Sequence, residues 1–218
     1  MKKSSATVYR ECKRCGTCCI KGGPVLHKED RQILLEGTVG HHHLVTIRKG
    51  ELVLNPVSRL LESFPRELIK VRGKGKEWTC RFFHEKRSAC RIYNNRFLEC
   101  RALKCWDTRD LERIVGRDTL ARADLVNLND PVLELIRMHE EKCPCDEVHE
   151  CISLLSVEEK KQAAMDRLTL FVQGDISIRN FARKELSLEE KFEPFLFGRT
   201  LQEIIQDRGL VVCFPEDI

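Results

Sequence analysis

Apolar positions change texture about halfway along the chain. Up to Trp106 the hydrophobic runs are short and broken by glycine, proline and charge. Ile33, Leu34 and Leu35 form the apolar face of a short helix that opens in His27-Lys28-Glu29-Asp30 and stops at Gly37. Leu44-Val45-Thr46-Ile47 and Leu52-Val53-Leu54 flank Arg48-Lys49-Gly50-Glu51, which predicts a β-hairpin turning at Gly50 and ended by Pro56. Val57, Leu60, Leu61, Phe64, Leu68 and Ile69 recur at helical spacing, interrupted at Pro65. Arg72-Gly73-Lys74-Gly75-Lys76 reads as a basic loop, and Trp78 to Tyr93 as short extended pieces turning at residues 84–88.

Beyond Trp106 the pattern is helical. Asp107 or Thr108 caps a helix running to Val115. Asp130-Pro131 opens another before Val132, Leu133, Leu135 and Ile136. Ser156 with Glu159 is a capping box for a helix carrying Val157, Ala164, Leu168 and Phe171 on one face, with Gly174 as its stop. Ser187 with Glu190 is a second box. Leu201, Ile204 and Ile205 mark a helix closed by Gly209, and Leu210 to Phe214 reads as an apolar strand or tail. The fold class expected is α+β. A loop-rich, cysteine-cluster metal-binding half with short strands, residues 1–110, packs against a mainly helical half, residues 111–218. The boundary is soft, near 106–116, and a single domain is also compatible with it.

Of the 218 residues, 42% are hydrophobic, so a core is available without disulfide staples. The start, Met1-Lys2-Lys3-Ser4-Ser5-Ala6-Thr7, lacks the apolar run of a signal peptide, and no stretch has the roughly 20 apolar residues of a membrane span. The expected location is the cytoplasm, where thiols stay reduced and twelve cysteines point to metal or redox chemistry. A secreted disulfide framework is the minor alternative. The net charge of +4 is asymmetric. Residues 1–110 hold 24 Lys and Arg against 12 Asp and Glu, and residues 111–218 hold 14 against 22. The basic excess follows the cysteines, so compensation of thiolate charge is favoured over a surface for an anionic partner.

Four thiols fall within eight residues at Cys12, Cys15, Cys18 and Cys19. Cysteines three apart in a tight turn converge on one metal, and Gly16 suits such a turn. The spacing Cys12-x2-Cys15-x2-Cys18 is similar to the ferredoxin-type run that holds three corners of an iron–sulfur cubane. Side chains of adjacent residues diverge, so Cys18 and Cys19 are expected to serve different centres. Cys80, Cys90, Cys100 and Cys105 bring the set to eight, enough for two four-thiolate centres, or for one centre and a reactive thiol pair.

The chain resembles the YkgJ-like CxxCxxCC family of zinc- or iron-chelating cysteine-cluster proteins. The resemblance rests on Cys12, Cys15-Gly16, Cys18-Cys19, Cys80-Arg81-Phe82, Cys90-Arg91-Ile92-Tyr93-Asn94-Asn95-Arg96, Cys100-Arg101 and Cys105, and it covers about residues 12–105. The family commonly has proline after that last arginine of the Cys90 stretch; here Phe97 stands in its place. The resemblance implies metal binding, with an iron–sulfur cluster or zinc as cofactor and iron modestly favoured. Flagellin lysine methylases have a similar cysteine signature, which brings a methyltransferase-like role into view. No glycine-rich strand-turn-helix motif accompanies it.

Cys143, Cys145 and Cys151 are further candidate metal ligands, with His139 and His149 nearby; their alternative is as small buried thiols at a helix end. Cys213 reads as a core thiol. His41-His42-His43 reads as a solvated loop, and His27 and His84 as candidate fourth ligands. Arg91, Arg96 and Arg101 sit beside cysteines, where they can serve thiolates, pair with acids or bind an anionic substrate. No catalytic or cofactor-binding residue is identified. Three function classes remain: a cytosolic metal-binding protein, an iron–sulfur-dependent redox or protein-modifying enzyme, and a zinc-stapled protein- or nucleic-acid-binding module. Metal ions are the expected partners, a protein partner is admitted, nucleic acid is disfavoured and no membrane is involved.

Overall fold

In the computed structural model the described residues are Cys12, 14–55, 58–75 and 77–210. The predicted tail from residue 211 to Phe214, and Cys213 within it, lie outside them. So do Pro56 and Val57. The chain divides into two compact units, each discontinuous in sequence. One comprises the described residues up to Val39 together with Val71–Thr119; the other comprises Gly40–Lys70 and the described residues from Leu120. The architecture is α+β, with short antiparallel strand pairs followed by helices.

The first unit is held by short elements: α1 (Thr17–Ile20), α2 (Arg31–Leu35), β5 (Gly73–Lys74), β6 (Thr79–Cys80), β7 (Phe83–His84), β8 (Ala89–Cys90), α3 (Leu98–Ala102) and α4 (Arg109–Ile114). β5 pairs with β6 and β7 with β8, both antiparallel. The expected helix after His27 forms as a 3-10 turn followed by α2, and Gly37 ends it at φ +72°. Of the two residues expected to cap α4, Thr108 occupies the N-cap position without a side-chain cap bond, and Asp107 Oδ1 accepts from Arg109 N at 3.2 Å. Phe97, which replaces the family's proline, is buried against Phe82.

The second unit contains β1 (Leu44–Ile47), β2 (Leu52–Leu54), β3 (Leu61–Ser63), β4 (Leu68–Val71, its last residue counted with the first unit), α5 (Val132–Lys142), α6 (Cys145–Leu154), α7 (Glu158–Glu185), α8 (Glu193–Phe197) and α9 (Leu201–Gln206). Three expectations are corrected here. The hairpin between residues 44–47 and 52–54 does not form: β1 pairs with β4, and β2 with β3. The turn at Gly50 exists, with Glu51 N donating to Arg48 O. However, β1 is buried along its whole length whereas β2 is half exposed, and β1 finds its apolar match in Leu68 and Ile69 of β4. Residues 61–71 are therefore strands and not a helix; Pro65 denies a helix its backbone donor. Finally, α7 runs 28 residues straight through Gly174. A Cβ at that position would lie 3.3 Å from Cys143 Sγ, so the glycine makes room for close packing and does not terminate the helix. The capping boxes expected at Ser156 with Glu159 and at Ser187 with Glu190 do not form, Ser156 Oγ donating to Ser153 O instead. A box not read from the sequence joins Thr200 and Glu203, with Thr200 Oγ1 accepting from Glu203 N at 3.1 Å. The three histidines are half buried in a 3-10 turn, not solvated; His41 stacks on Phe195 at 4.6 Å.

A buried ion network runs through this unit. Arg48 Nε donates to Glu140 at 3.1 Å, and Arg122 Nη2 donates to Glu140 at 2.7 Å and also to Glu67. Arg179 Nε donates to Asp175 at 2.9 Å. His139 Nε2 donates to the same carboxylate at 2.6 Å, so its Nδ1 carries the lone pair, and that nitrogen has no hydrogen-bond partner among the described residues. Burial pushes His139 down to about 4, and it is neutral at pH 7. Burial opposes ionisation of Asp175, but the His139 bond and the Arg179 charge hold its carboxyl low. Both shifts have one sign. The unfolded chain takes up protons that the folded unit refuses, so stability is full above the ordinary histidine value of 6.5 and falls as pH drops toward 4. Urea unfolding is expected to show a loss of about 2 kcal/mol from His139 between pH 7 and 5, and His139→Gln should flatten that slope.

Candidate metal centre

The eight cysteines of the first half all belong to the first unit, and local structure sets each one. Gly16 takes φ +80° as the N-cap of α1, pressed beneath the Phe83 ring where any side chain would collide. That turn exposes Cys15, whose Sγ lies 3.3 Å from Thr17 Oγ1, and places Cys18 and Cys19 on α1. Arg14 N donates to Cys12 Sγ at 3.4 Å. Cys80 lies on β6, against which α1 packs. Cys90 ends the β7–β8 hairpin, opposite Phe83. Cys100 lies on α3, which is pinned at its start: Asp30 Oδ1 accepts from Leu98 N at 2.7 Å, and Glu99 Oε2 from Val25 N at 2.8 Å. Cys105 follows α3 in an exposed turn.

These thiols act on one another. Cys19 feels Cys18, Cys80 and Cys90; Cys100 feels Cys80, Cys18 and Cys90; Cys105 feels Cys18, Cys15 and Cys12. Burial, followed by these neighbouring charges, pushes Cys100 and Cys105 up. The Sγ atoms of Cys18 and Cys19 are 3.9 Å apart, so the expected divergence of that adjacent pair is corrected: the α1 turn brings the two sulfurs together. The separation is close to the about 3.8 Å between two thiolates on one tetrahedral ion with metal–sulfur bonds near 2.3 Å. The hydrogen bond from Cys19 pulls Cys18 down to about 6, which makes Cys18 the thiolate of the pair, and Cys19 is pushed up in consequence. Arg96 adds a favourable charge to both Cys18 and Cys90. Among the described residues no three His, Cys, Asp or Glu side chains are drawn to ligand spacing around one point.

The other candidates sit differently. His27 is buried with both nitrogens engaged, Nδ1 with Arg117 O at 2.8 Å and Nε2 with Glu99 at 3.4 Å. Burial disfavours its charge, but the Glu99 bond prevails and raises it; with both nitrogens turned to oxygen atoms, neither is directed at a thiol cluster. Cys143, Cys145 and Cys151 belong to the second unit. They lie in its apolar core with Val148, Leu168, Val172 and Ile204, and burial pushes Cys143 and Cys145 up to about 12. There they pack as small hydrophobes. His149 accepts from Leu52 N at 3.2 Å. Arg101 pairs with Glu29. Sequence reasoning missed the stacking of Arg14 and Arg96 on Tyr93, which joins residues 79 positions apart and left no local signal.

A unit of short strands and turns carrying eight free thiols defines a cysteine-cluster protein. Residues 11–119 match the CxxCxxCC family, described as a putative zinc- or iron-chelating domain, and the chain belongs to that family. No curated protein and no solved structure matches it at a significant level. Among the described residues no helix is long and apolar enough to cross a membrane.

Proposed function

We propose that the first unit is a thiolate metal centre binding iron or zinc through Cys12, Cys15, Cys18, Cys19, Cys80, Cys90, Cys100 and Cys105, with iron favoured. The observation that carries this is that all eight thiols gather in one small unit from five separate stretches of chain, with α1 packed on β6 and the Cys18 and Cys19 sulfurs 3.9 Å apart. Thiols that raise one another's pKa repel as thiolates, and a cation relieves that repulsion. The pattern of coupling supports two groups of four. Cys105 feels Cys12, Cys15 and Cys18; Cys19 and Cys100 each feel Cys80 and Cys90, and both also feel Cys18. Cys18 and Cys19 form the seam. Three cysteines at ferredoxin-like spacing plus one remote thiol favour an iron–sulfur cluster in the first group. Such a cluster supplies one-electron transfer, and zinc would supply closure of the loops. The protein's own residues orient the thiols through the Gly16 turn and the Asp30 and Glu99 clamps, and Arg96 stabilises the ionised sulfurs. A metal draws the thiols to ligand spacing as it binds, so metal affinity and folding of this unit are linked. A reducing compartment, the cytosol, keeps the thiols available.

Anaerobic purification followed by metal and acid-labile sulfide analysis tests the reading. Brown protein with iron and sulfide is expected. Colourless protein with stoichiometric zinc would remove the iron assignment and keep the centre; protein that takes up neither metal would remove the centre itself.

A further inference from the structure

Beside Cys90 the first unit carries an open polar hollow of about 480 Å³, with Arg14, Arg91, Asn94 and Asn95 exposed to solvent along it. Two arginines, Arg14 and Arg91, line it, and it contains no acidic side chain. Asn94, Asn95 and Thr38 add amide and hydroxyl groups, and Asn95 Nδ2 lies 3.5 Å from Thr38 Oγ1. Tyr93 also lines it. The guanidinium carbons of Arg14 and Arg96 stand 4.2 and 4.0 Å from the Tyr93 ring centroid. Stacking on the ring holds each guanidinium in place, and Arg14 has no other side-chain bond shown among the described residues. The two have different tasks. Arg96 donates Nε to Tyr93 O at 3.0 Å and acts on the Cys18 and Cys90 sulfurs. Arg14 and Arg91 have no carboxylate partner among the described residues.

We propose that this hollow binds a small molecule bearing a carboxylate or phosphate, held by Arg14 and Arg91 and oriented by the neighbouring amides. Bidentate arginine recognition is the chemistry that suits such an oxyanion. The bound group would lie against Cys90. If Cys90 is a metal ligand, which rests on the proposed centre, the ligand sits at the edge of that centre, where a substrate or a regulator of the metal would be placed. Anion binding itself needs only the arginines.

Isothermal titration of the metal-loaded protein with inorganic phosphate and with succinate tests this, and tells the two oxyanion types apart. Saturable binding of at least one is expected. Arg14→Gln and Arg91→Gln should each weaken it at least about tenfold, and Arg91→Lys should restore part of the loss. Arg109→Gln, at an exposed arginine paired with Asp107, should change nothing. Metal content should be unaltered in every variant. Absence of saturable binding to the wild type overturns the proposal, as does an equal loss in Arg109→Gln. Loss of metal in Arg14→Gln or Arg91→Gln would assign those arginines to the centre instead. Wild-type protein that binds anion but no metal would leave this hollow standing and remove the metal reading.

Discussion

Cys18→Ser and Cys19→Ser are expected to remove different metal, although their sulfurs lie 3.9 Å apart. Cys18 shares the ferredoxin-like spacing with Cys12 and Cys15 and acts on Cys105, whereas Cys19 feels Cys80 and Cys90; Cys18 also acts on Cys19 and Cys100, so its assignment rests on the spacing. Cys105→Ser should therefore reproduce the loss seen in Cys18→Ser, and Cys100→Ser the loss seen in Cys19→Ser. Each change removes a ligand outright, so the affected group should lose at least about a hundredfold in metal affinity, more than changes to supporting residues produce. Because binding free energy of structural zinc is on the order of 10 kcal/mol and is coupled to folding, the same variants should lower the melting temperature of the first unit sharply. Metal analysis of the four purified variants checks the pairing. If Cys18→Ser and Cys19→Ser lose the same metal, the pair shares one ion, as its spacing allows, and the division into two groups is wrong.

The second large effect lies in the other unit. Glu140→Ala should destabilise the protein by about 3–5 kcal/mol in urea unfolding. Glu140 is the carboxylate common to Arg48, fully buried, and Arg122, 4% exposed at its side chain. Removing it leaves Arg48 with its bond to Cys143 O as the remaining contact of that guanidinium shown here, and a buried charge without its counter-ion is costly. Replacing both partners by apolar residues of similar size, Arg48→Met with Glu140→Leu, should recover much of that loss, because the unpaired charge disappears. A loss below about 1 kcal/mol in Glu140→Ala would mean that water reaches Arg48 and that the network is not closed.

The helical segments were legible wherever local chemistry decides them. Asp130 before α5, whose Oδ1 accepts from Val132 N at 2.9 Å, and Gly37 after α2 act within one turn of chain as read, whereas the Ser156 and Ser187 boxes do not form: α7 starts after Val157 and Ser156 Oγ donates to Ser153 O. The errors occur where a distant partner outweighs a local signal. Gly174 carries the mark of a helix stop, yet Cys143 from another helix packs there and the helix continues. Leu44 to Ile47 has a neighbouring strand and a good turn at Gly50, yet pairs with Leu68 to Val71, which offers more buried apolar surface. His41 to His43 are polar by composition but supply rings for Phe195 and Phe192 to pack against.

By itself the sequence determined the cysteine-cluster character, the family and the α+β class. Tight thiol spacing and amphipathic periodicity are local properties, readable without knowing what packs on what. Only the tertiary structure decided how the chain shares out its segments, with residues 40–70 leaving the first unit for the second and residues 71–119 returning. It also decided that Cys18 and Cys19 face each other, that His27 is tied to oxygen atoms at both nitrogens, and that Cys143, Cys145 and Cys151 are core. The physical reason is common to all three. Whether a thiol or an imidazole is a ligand or a packed side chain depends on its burial and its neighbours, and those come from residues tens of positions away.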